Sequence, residues 1–347
     1  MKHRYQLIIN HGSTTRTPYA YSFGGTKGIL FHLRKNCALI EFMQNAVHSA
    51  NSIRTYGDHL CSDAIKKAML IHLILYSKPL IIKSVQLDVD GAISDVTTSA
   101  NNTIVFSMIT GPLDSPMPQT FRTASVVNSL LNTVKSSYDG RHNALMALLL
   151  GKANPYRSEK SMYLWMAVNG FYGFLTQKAN ENAIDRKKRI KDEWQEQDLM
   201  CFVLGIGKAS MSNTPREERT KIMQEAMSLL RKINIAPNVL YDCLMAGQES
   251  QITDELKKLL AEYKITMEPF SFFCIWLPYQ IRCKFFHSNT AMPLFSYADE
   301  PMMKVLYYTN YFVERLVEEN LPMWLGEKTI SEEQRERIKD AYKRFLG

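Results

Sequence analysis

Val85, Leu87 and Val89 alternate with Ser84, Gln86, Asp88 and Asp90, and Gly91 follows. A period of two predicts a half-buried strand closed by a turn. Tyr5-Gln6-Leu7-Ile8-Ile9-Asn10 predicts another strand, with turn chemistry after it at His11-Gly12-Ser13. A second turn cluster, Gly24-Gly25-Thr26-Lys27-Gly28, leads into Ile29-Leu30-Phe31-His32-Leu33. Thr103 to Ile109 is the expected hairpin partner of the strand at 85–89. Between these strands the period changes. Ile65, Ala68, Met69, His72, Leu73 and Tyr76 share one helical face, from Ser62 as N-cap to a stop before Pro79. The segment Gly111-Pro112-Leu113-Asp114-Ser115-Pro116-Met117-Pro118 is the best domain boundary in the chain.

Beyond it the helical period takes over. Helices are expected over 124–136, 142–150, 158–177, 191–202, 215–232, 236–245, 253–263, 269–286, 301–318 and 332–345. Thr214 with Glu217, and Ser331 with Gln334, have the spacing of capping boxes. No internal repeat is visible. The expected fold class is α+β: a mixed α/β domain over 1–118, then an all-α domain over 119–347.

Composition adds three constraints. The length of 347 residues favours two domains, and a hydrophobic share of 46% leaves ample core. A net charge of +8 with pI near 9.0 favours an anionic partner such as nucleic acid, although a basic protein without one has the same balance. The six cysteines are dispersed with no CxxC pair, which argues against a zinc ribbon or disulfide scaffold and suits a reducing cytosol. The start, Met1-Lys2-His3-Arg4-Tyr5, has no apolar signal core, and the most apolar run, Ala68 to Tyr76, is too short for a bilayer. The expectation is a soluble, cytoplasmic protein with no membrane partner.

The chemistry concentrates in Tyr279-Gln280-Ile281-Arg282-Cys283-Lys284-Phe285-Phe286-His287-Ser288-Asn289. Arg282 carries a permanent charge on a planar fork that suits phosphate oxygens, and His287 can exchange a proton near neutrality. Such a pair would cleave a phosphodiester without metal or cofactor, the imidazole moving a proton while the guanidinium holds the growing charge. On one straight helix, five steps set the two about 140° apart. Two copies of the helix packed in a two-fold dimer would supply two such pairs to one cleft. Pro278 implies either a fresh helix start near Leu277 or a kink.

These residues, with Leu294-Phe295-Ser296-Tyr297 and the long helix from Pro301, resemble the HEPN domain in its ApeA-like branch. Tyr163-Leu164-Trp165-Met166-Ala167-Val168-Asn169-Gly170-Phe171-Tyr172 is similar to the aromatic first helix of those domains. The resemblance covers roughly 155–320, and residues 1–118 match no family. It implies an antiparallel helical bundle that dimerises through the motif helix. It further implies a metal-independent endoribonuclease of an RNA-targeting defence system such as a toxin–antitoxin, abortive-infection or CRISPR-linked effector. An antitoxin or a defence complex is the implied protein partner.

On that resemblance Arg282 and His287 are the catalytic pair, attacking RNA through its own 2′-OH to leave a 2′,3′-cyclic phosphate and a 5′-OH. Asn169 would orient the imidazole or a phosphate, or else serve helix packing. Cys283, Lys284 and Asn289 are the supporting positions. Cys283 stands where Asn, Asp or His is common, and Asn289 stands where the tyrosine of some toxins would be. The alternative is a catalytically inactive HEPN subunit that binds or scaffolds within a larger complex.

Other candidates are weaker. Arg186-Lys187-Lys188-Arg189 tracks an RNA backbone or forms a solvated helix face. Asp88, Asp90 and Asp95 read as a polar sheet face rather than a metal site. His72 belongs to the core, His11 with Ser13 to a turn, and the Gly24–Gly28 loop lacks the Walker spacing. Trp165, Trp194, Trp276 and Trp324 are scattered and read as packing residues.

Overall fold

The alternation at 84–89 builds a strand with Val85 and Leu87 buried and Ser84, Gln86 and Asp88 half-exposed. The computed structural model describes residues 3–11, 21–24, 30–33, 37–44, 72–97, 111–122, 140–179, 211, 214–287 and 300–324. These are α+β, mostly helical with one antiparallel sheet. The chain divides into two compact units. One is Met1–Asn143 with Lys152–Asn154 and Leu325–Glu327; the other is Ala144–Gly151 with Pro155–Trp324 and Lys328–Gly347.

In the first unit, β1 (His3–His11), β2 (Tyr21–Gly24), β3 (Leu30–Leu33), β4 (Cys37–Gln44), β5 (Ile82–Val89) and β6 (Ala92–Asp95) run in the order β2-β3-β4-β1-β5-β6. The register sets Leu7 opposite Ile40 and Leu87, and Ile9 opposite Ala38 and Val85. Across the polar positions, Asn10 Nδ2 donates to Ser84 Oγ at 2.8 Å, and the side chains of Arg4 and Gln6 both donate to Glu41.

The hairpin after β5 corrects the sequence reading. Its partner strand is Ala92–Asp95, joined by the two-residue turn Asp90-Gly91. The expected partner, 103–109, lies outside the described residues. Asp90 and Gly91 take φ of 48° and 95°, the pair of positive values that a type I′ turn demands. The three aspartates serve this hairpin. Asp88 accepts the Gly91 N–H at 2.7 Å, and Asp90 accepts the Arg4 N–H at 2.8 Å. Asp95 accepts from the Thr97 hydroxyl and, at 2.8 Å, from the Thr97 N–H, and these bonds hold its carboxyl below the usual carboxylate range.

His72 is fully buried, as its apolar stripe requires, and its Nδ1 lies 2.9 Å from the Lys78 carbonyl oxygen. In the proline-rich segment, Leu113 and Met117 are buried, and the Leu113 N–H donates to the Ser77 carbonyl at 2.9 Å. Lys152 is also buried and donates from Nζ to Ser115 Oγ at 2.7 Å.

The helices are α1 (Gly140–Ala153), α2 (Arg157–Ala179), α3 (Arg216–Lys232), α4 (Pro237–Met245), α5 (Gln251–Glu262), α6 (Leu277–His287) and α7 (Glu300–Trp324). Gly151 lets α1 approach α2, since a Cβ there would stand 3.0 Å from Leu164 Cδ2. The helices expected at 124–136, 191–202 and 332–345 lie outside the described residues, as does most of the one expected at 62–77.

α7 is the helix on which the second unit is assembled, packing against α2, α3, α4 and α6. Val305, Leu306, Phe312, Val313, Leu316 and Val317 form its buried stripe. Polar ties fix the pairs that this stripe brings together. Lys160 on α2 and Glu314 on α7 form a nearly buried ion pair at 2.9 Å, and Asn310 Nδ2 donates to the Arg157 carbonyl at 2.8 Å. Lys304 Nζ and Tyr308 OH donate to the Arg231 and Ile235 carbonyls, each at 2.6 Å, and so dock the end of α3. Tyr241 on α4 donates to Glu319 at 2.8 Å.

Two helix starts differ from expectation. Pro215, with φ −54° and ψ 146°, is itself the N-cap of α3, with no side-chain cap bond, so the Thr214–Glu217 box does not form. α5 begins at Gln251 instead, capped by Ser250. Ser250 Oγ accepts the Thr253 N–H at 3.3 Å while Thr253 Oγ1 accepts the Ser250 N–H at 2.8 Å. Among the described residues no helix is long and apolar enough to cross a membrane.

Candidate functional site on the Arg282 helix

The segment that carries Arg282 starts as a helical turn at Pro269–Ser271, widens to a π-turn over Phe272–Trp276, and continues as α6. Pro278 supplies the reason. It has no N–H to give, and its ring would clash with the carbonyl four residues back in a regular helix. The wide turn lets the Leu277 N–H reach back five residues to the Phe272 carbonyl, so the helix passes through the proline without breaking. Residues 271–279 are all buried, and Phe272 stacks on Trp276 with ring centroids 4.8 Å apart. The motif helix is therefore rooted in core.

Tyr279 links that root to the candidate chemistry. It is 3% exposed and meets the edge of Trp165 on α2 with centroids 5.5 Å apart. One turn later, the Arg282 guanidinium carbon stands 5.9 Å from the centroid of the Tyr279 ring. That is within reach of a cation–π attraction. Arg282 Nη1 also lies 3.8 Å from Cys283 Sγ, and both residues are half-buried. The guanidinium is thus seated on an aromatic floor rather than waving in solvent. Its side chain is neither sealed off nor fully solvated, so an anion meeting its fork of donors is less screened than at a fully solvated arginine.

The remaining candidates are placed less fully. His287 is the last described residue of α6, with only its backbone described, and lies about 140° around the axis from Arg282. Lys284 stands on the same helix with only its backbone described. Asn169 is exposed on α2, one turn after buried Trp165, on the helix that packs against α6. Asn289 and Arg186, Lys187, Lys188 and Arg189 lie outside the described residues. Among the described residues no group of three or more His, Cys, Asp or Glu is placed to hold a metal ion.

Two site residues escaped the sequence reading as such. Tyr279 is the seat of the guanidinium and Trp165 its brace. The signal for the first was its spacing, since an aromatic three residues before an arginine on a helix lies under the arginine stem. The pairing of Trp165 with Tyr279 is non-local and left no local pattern. No family model, curated protein or solved structure matches this chain.

Proposed function

We propose that this chain is a metal-independent endoribonuclease of the HEPN kind. Its core is the helical bundle of roughly 155–320, and the reaction is intramolecular attack by the ribose 2′-OH. The observation that carries the reading is the Arg282 guanidinium, half-buried and held over the Tyr279 ring on a helix rooted in core. A pre-positioned, partly desolvated cation is what a phosphorane needs, because stabilisation is greatest when the charge does not have to reorganise. RNA brings its own nucleophile, so the protein supplies position, charge and proton transfer. His287 is the proton carrier in this scheme. The angular offset from Arg282 is met by a second copy of the helix, so that two Arg–His pairs share one cleft between two chains. Asn169 orients the imidazole or a phosphate. The mixed N-terminal domain, which resembles no family, is left for sensing, recruitment or partner binding, and the setting in phage defence rests on family analogy.

Cleavage of a single-stranded RNA in excess chelator tests the reaction. The products should end in 2′,3′-cyclic phosphate and 5′-OH, and both Arg282→Ala and His287→Ala should strongly slow their formation. A second reading is favoured by the same seat. A guanidinium packed on Tyr279 and beside Cys283 also suits a structural brace in a bundle that binds without cutting. Under that reading purified wild-type protein binds RNA or a partner and yields no cyclic-phosphate ends.

A further inference from the structure

The start of α2 and the start of α7 bring together a second aromatic–guanidinium group, apart from the motif helix. Arg157 is exposed, and its guanidinium lies 4.9 Å from the centroid of the Tyr307 ring. Its Nη1 also donates to the Met303 carbonyl at 2.8 Å, one turn before Tyr307 on α7. The cation is therefore held by a ring and a carbonyl, and its remaining N–H donors stay available for a ligand. Tyr307 is 46% exposed, and Tyr156, the residue before Arg157, is 42% exposed. Both rings are open to solvent beside a fixed guanidinium, while Tyr308 and Phe312 fill the inward face of α7. Glu159 in the same turn is half-buried, and Lys160 is taken up by Glu314.

We infer that Tyr156, Arg157 and Tyr307 form a stacking platform for single-stranded RNA, outside the catalytic pair. Aromatic faces accept any base, and a planar guanidinium stacks on a base and pairs with a phosphate. The chain's net charge of +8 supports an anionic ligand. The inference rests on the RNA reading above and deepens it by naming where the strand is gripped. Because Arg157 is fixed before binding, little side-chain freedom is lost when a base arrives.

The test uses the full chain and a fluorescent 2′-O-methyl oligouridine, which lacks the attacking hydroxyl and stays intact. Anisotropy titrations compare wild type with Tyr307→Ala, Tyr307→Phe, Tyr156→Ala and Arg157→Ala, each checked for an unchanged melting transition. Tyr307→Ala and Tyr156→Ala should each weaken binding on the order of tenfold, while Tyr307→Phe binds as wild type. Arg157→Ala should weaken binding and flatten the salt dependence by about one phosphate contact. If both alanine variants at the tyrosines bind as wild type does, the platform is overturned while the RNA reading stands. If wild type itself does not bind the oligonucleotide, platform and RNA reading fall together.

Discussion

Trp165 and Tyr279 meet in a T-shaped contact with ring centroids 5.5 Å apart, and each stands one helical turn before a residue assigned to the site, Asn169 on α2 and Arg282 on α6. The contact couples stability to position. Trp165→Ala should cost about 3–5 kcal/mol in urea unfolding. On the nuclease proposal, cleavage per folded molecule should fall as well, because the ring under Arg282 loses its brace. A variant that is destabilised but cleaves at the wild-type rate would separate the brace from the site.

Substitutions at the pair itself should behave differently. If the chain is the nuclease proposed, Arg282→Ala should lower the rate of chelator-resistant cleavage by about 10²–10³-fold, the range for one preorganised electrostatic partner. His287→Ala should lower it by about 10²–10⁴-fold, the range for a general acid or base. Arg282→Lys keeps charge but loses the planar fork and should recover only part of the rate. Equal rates for Arg282→Lys and wild type would show that a point charge suffices.

Gly91 sits at φ 95° in the β5–β6 turn, where an added Cβ meets no neighbour within 4 Å. The penalty for Gly91→Ala is therefore purely conformational, about 1–2 kcal/mol. Gly151→Ala is the contrasting case, with ordinary backbone and a Leu164 methyl 3.0 Å away. The overpacking against Leu164 opposes a helix-propensity gain of about 1 kcal/mol, so Gly151→Ala should not stabilise as an exposed helical Gly→Ala does. Trimming the neighbour with Leu164→Ala should relieve Gly151→Ala and leave Gly91→Ala unrelieved, as a double-mutant cycle in urea would read.

Ser250→Ala removes the oxygen that receives the Thr253 N–H at the start of α5 and should cost about 1 kcal/mol by thermal unfolding. Thr214→Ala should cost little, because Thr214 does not cap α3.

Tyr241 predicts the alkaline limit of stability. Burial first, then the neighbouring Cys274 and the hydrogen bond to Glu319, push its phenol far above the usual range. Its folded-state pKa is raised, so the stabilisation is complete below the unfolded value of about 10 and drains away as pH climbs above it. Unfolding free energy should fall as pH climbs above about 10, as urea titration would show, and the fall should be shallower in Tyr241→Phe. At neutral pH that variant should lose only about 1 kcal/mol, since Glu319 keeps Arg315 at 3.0 Å.

Much of this was legible because it is local. The helices on α2, α3, α4, α6 and α7 follow from apolar spacing, and the burial split at Ser84, Val85, Gln86 and Leu87 follows from a period of two. The errors were also local, where two signals competed. Asp90-Gly91 is a strong hairpin turn, but reading it as a strand terminus passed over the four-residue β6 and sought a longer partner at 103–109. The Thr214–Glu217 spacing met the form of a capping box, yet Pro215 took the N-cap place and moved the register by one. What the sequence could not show was contact at a distance. Trp165 and Tyr279, or Arg157 and Tyr307, are brought together only by the packing of separate helices.

The π-turn at Phe272–Trp276 makes the direction of Arg282 depend on residue count as well as residue type. A widened turn holds one residue more than a regular one, so all that follows is rotated by about 100° from where an unbroken α-helix would set it. Shortening that turn by a single residue would leave Arg282 on Tyr279, since both follow it on one helix, and swing the pair together by about a quarter-circle away from Trp165. A lineage could silence the site that way without touching Arg282 or His287.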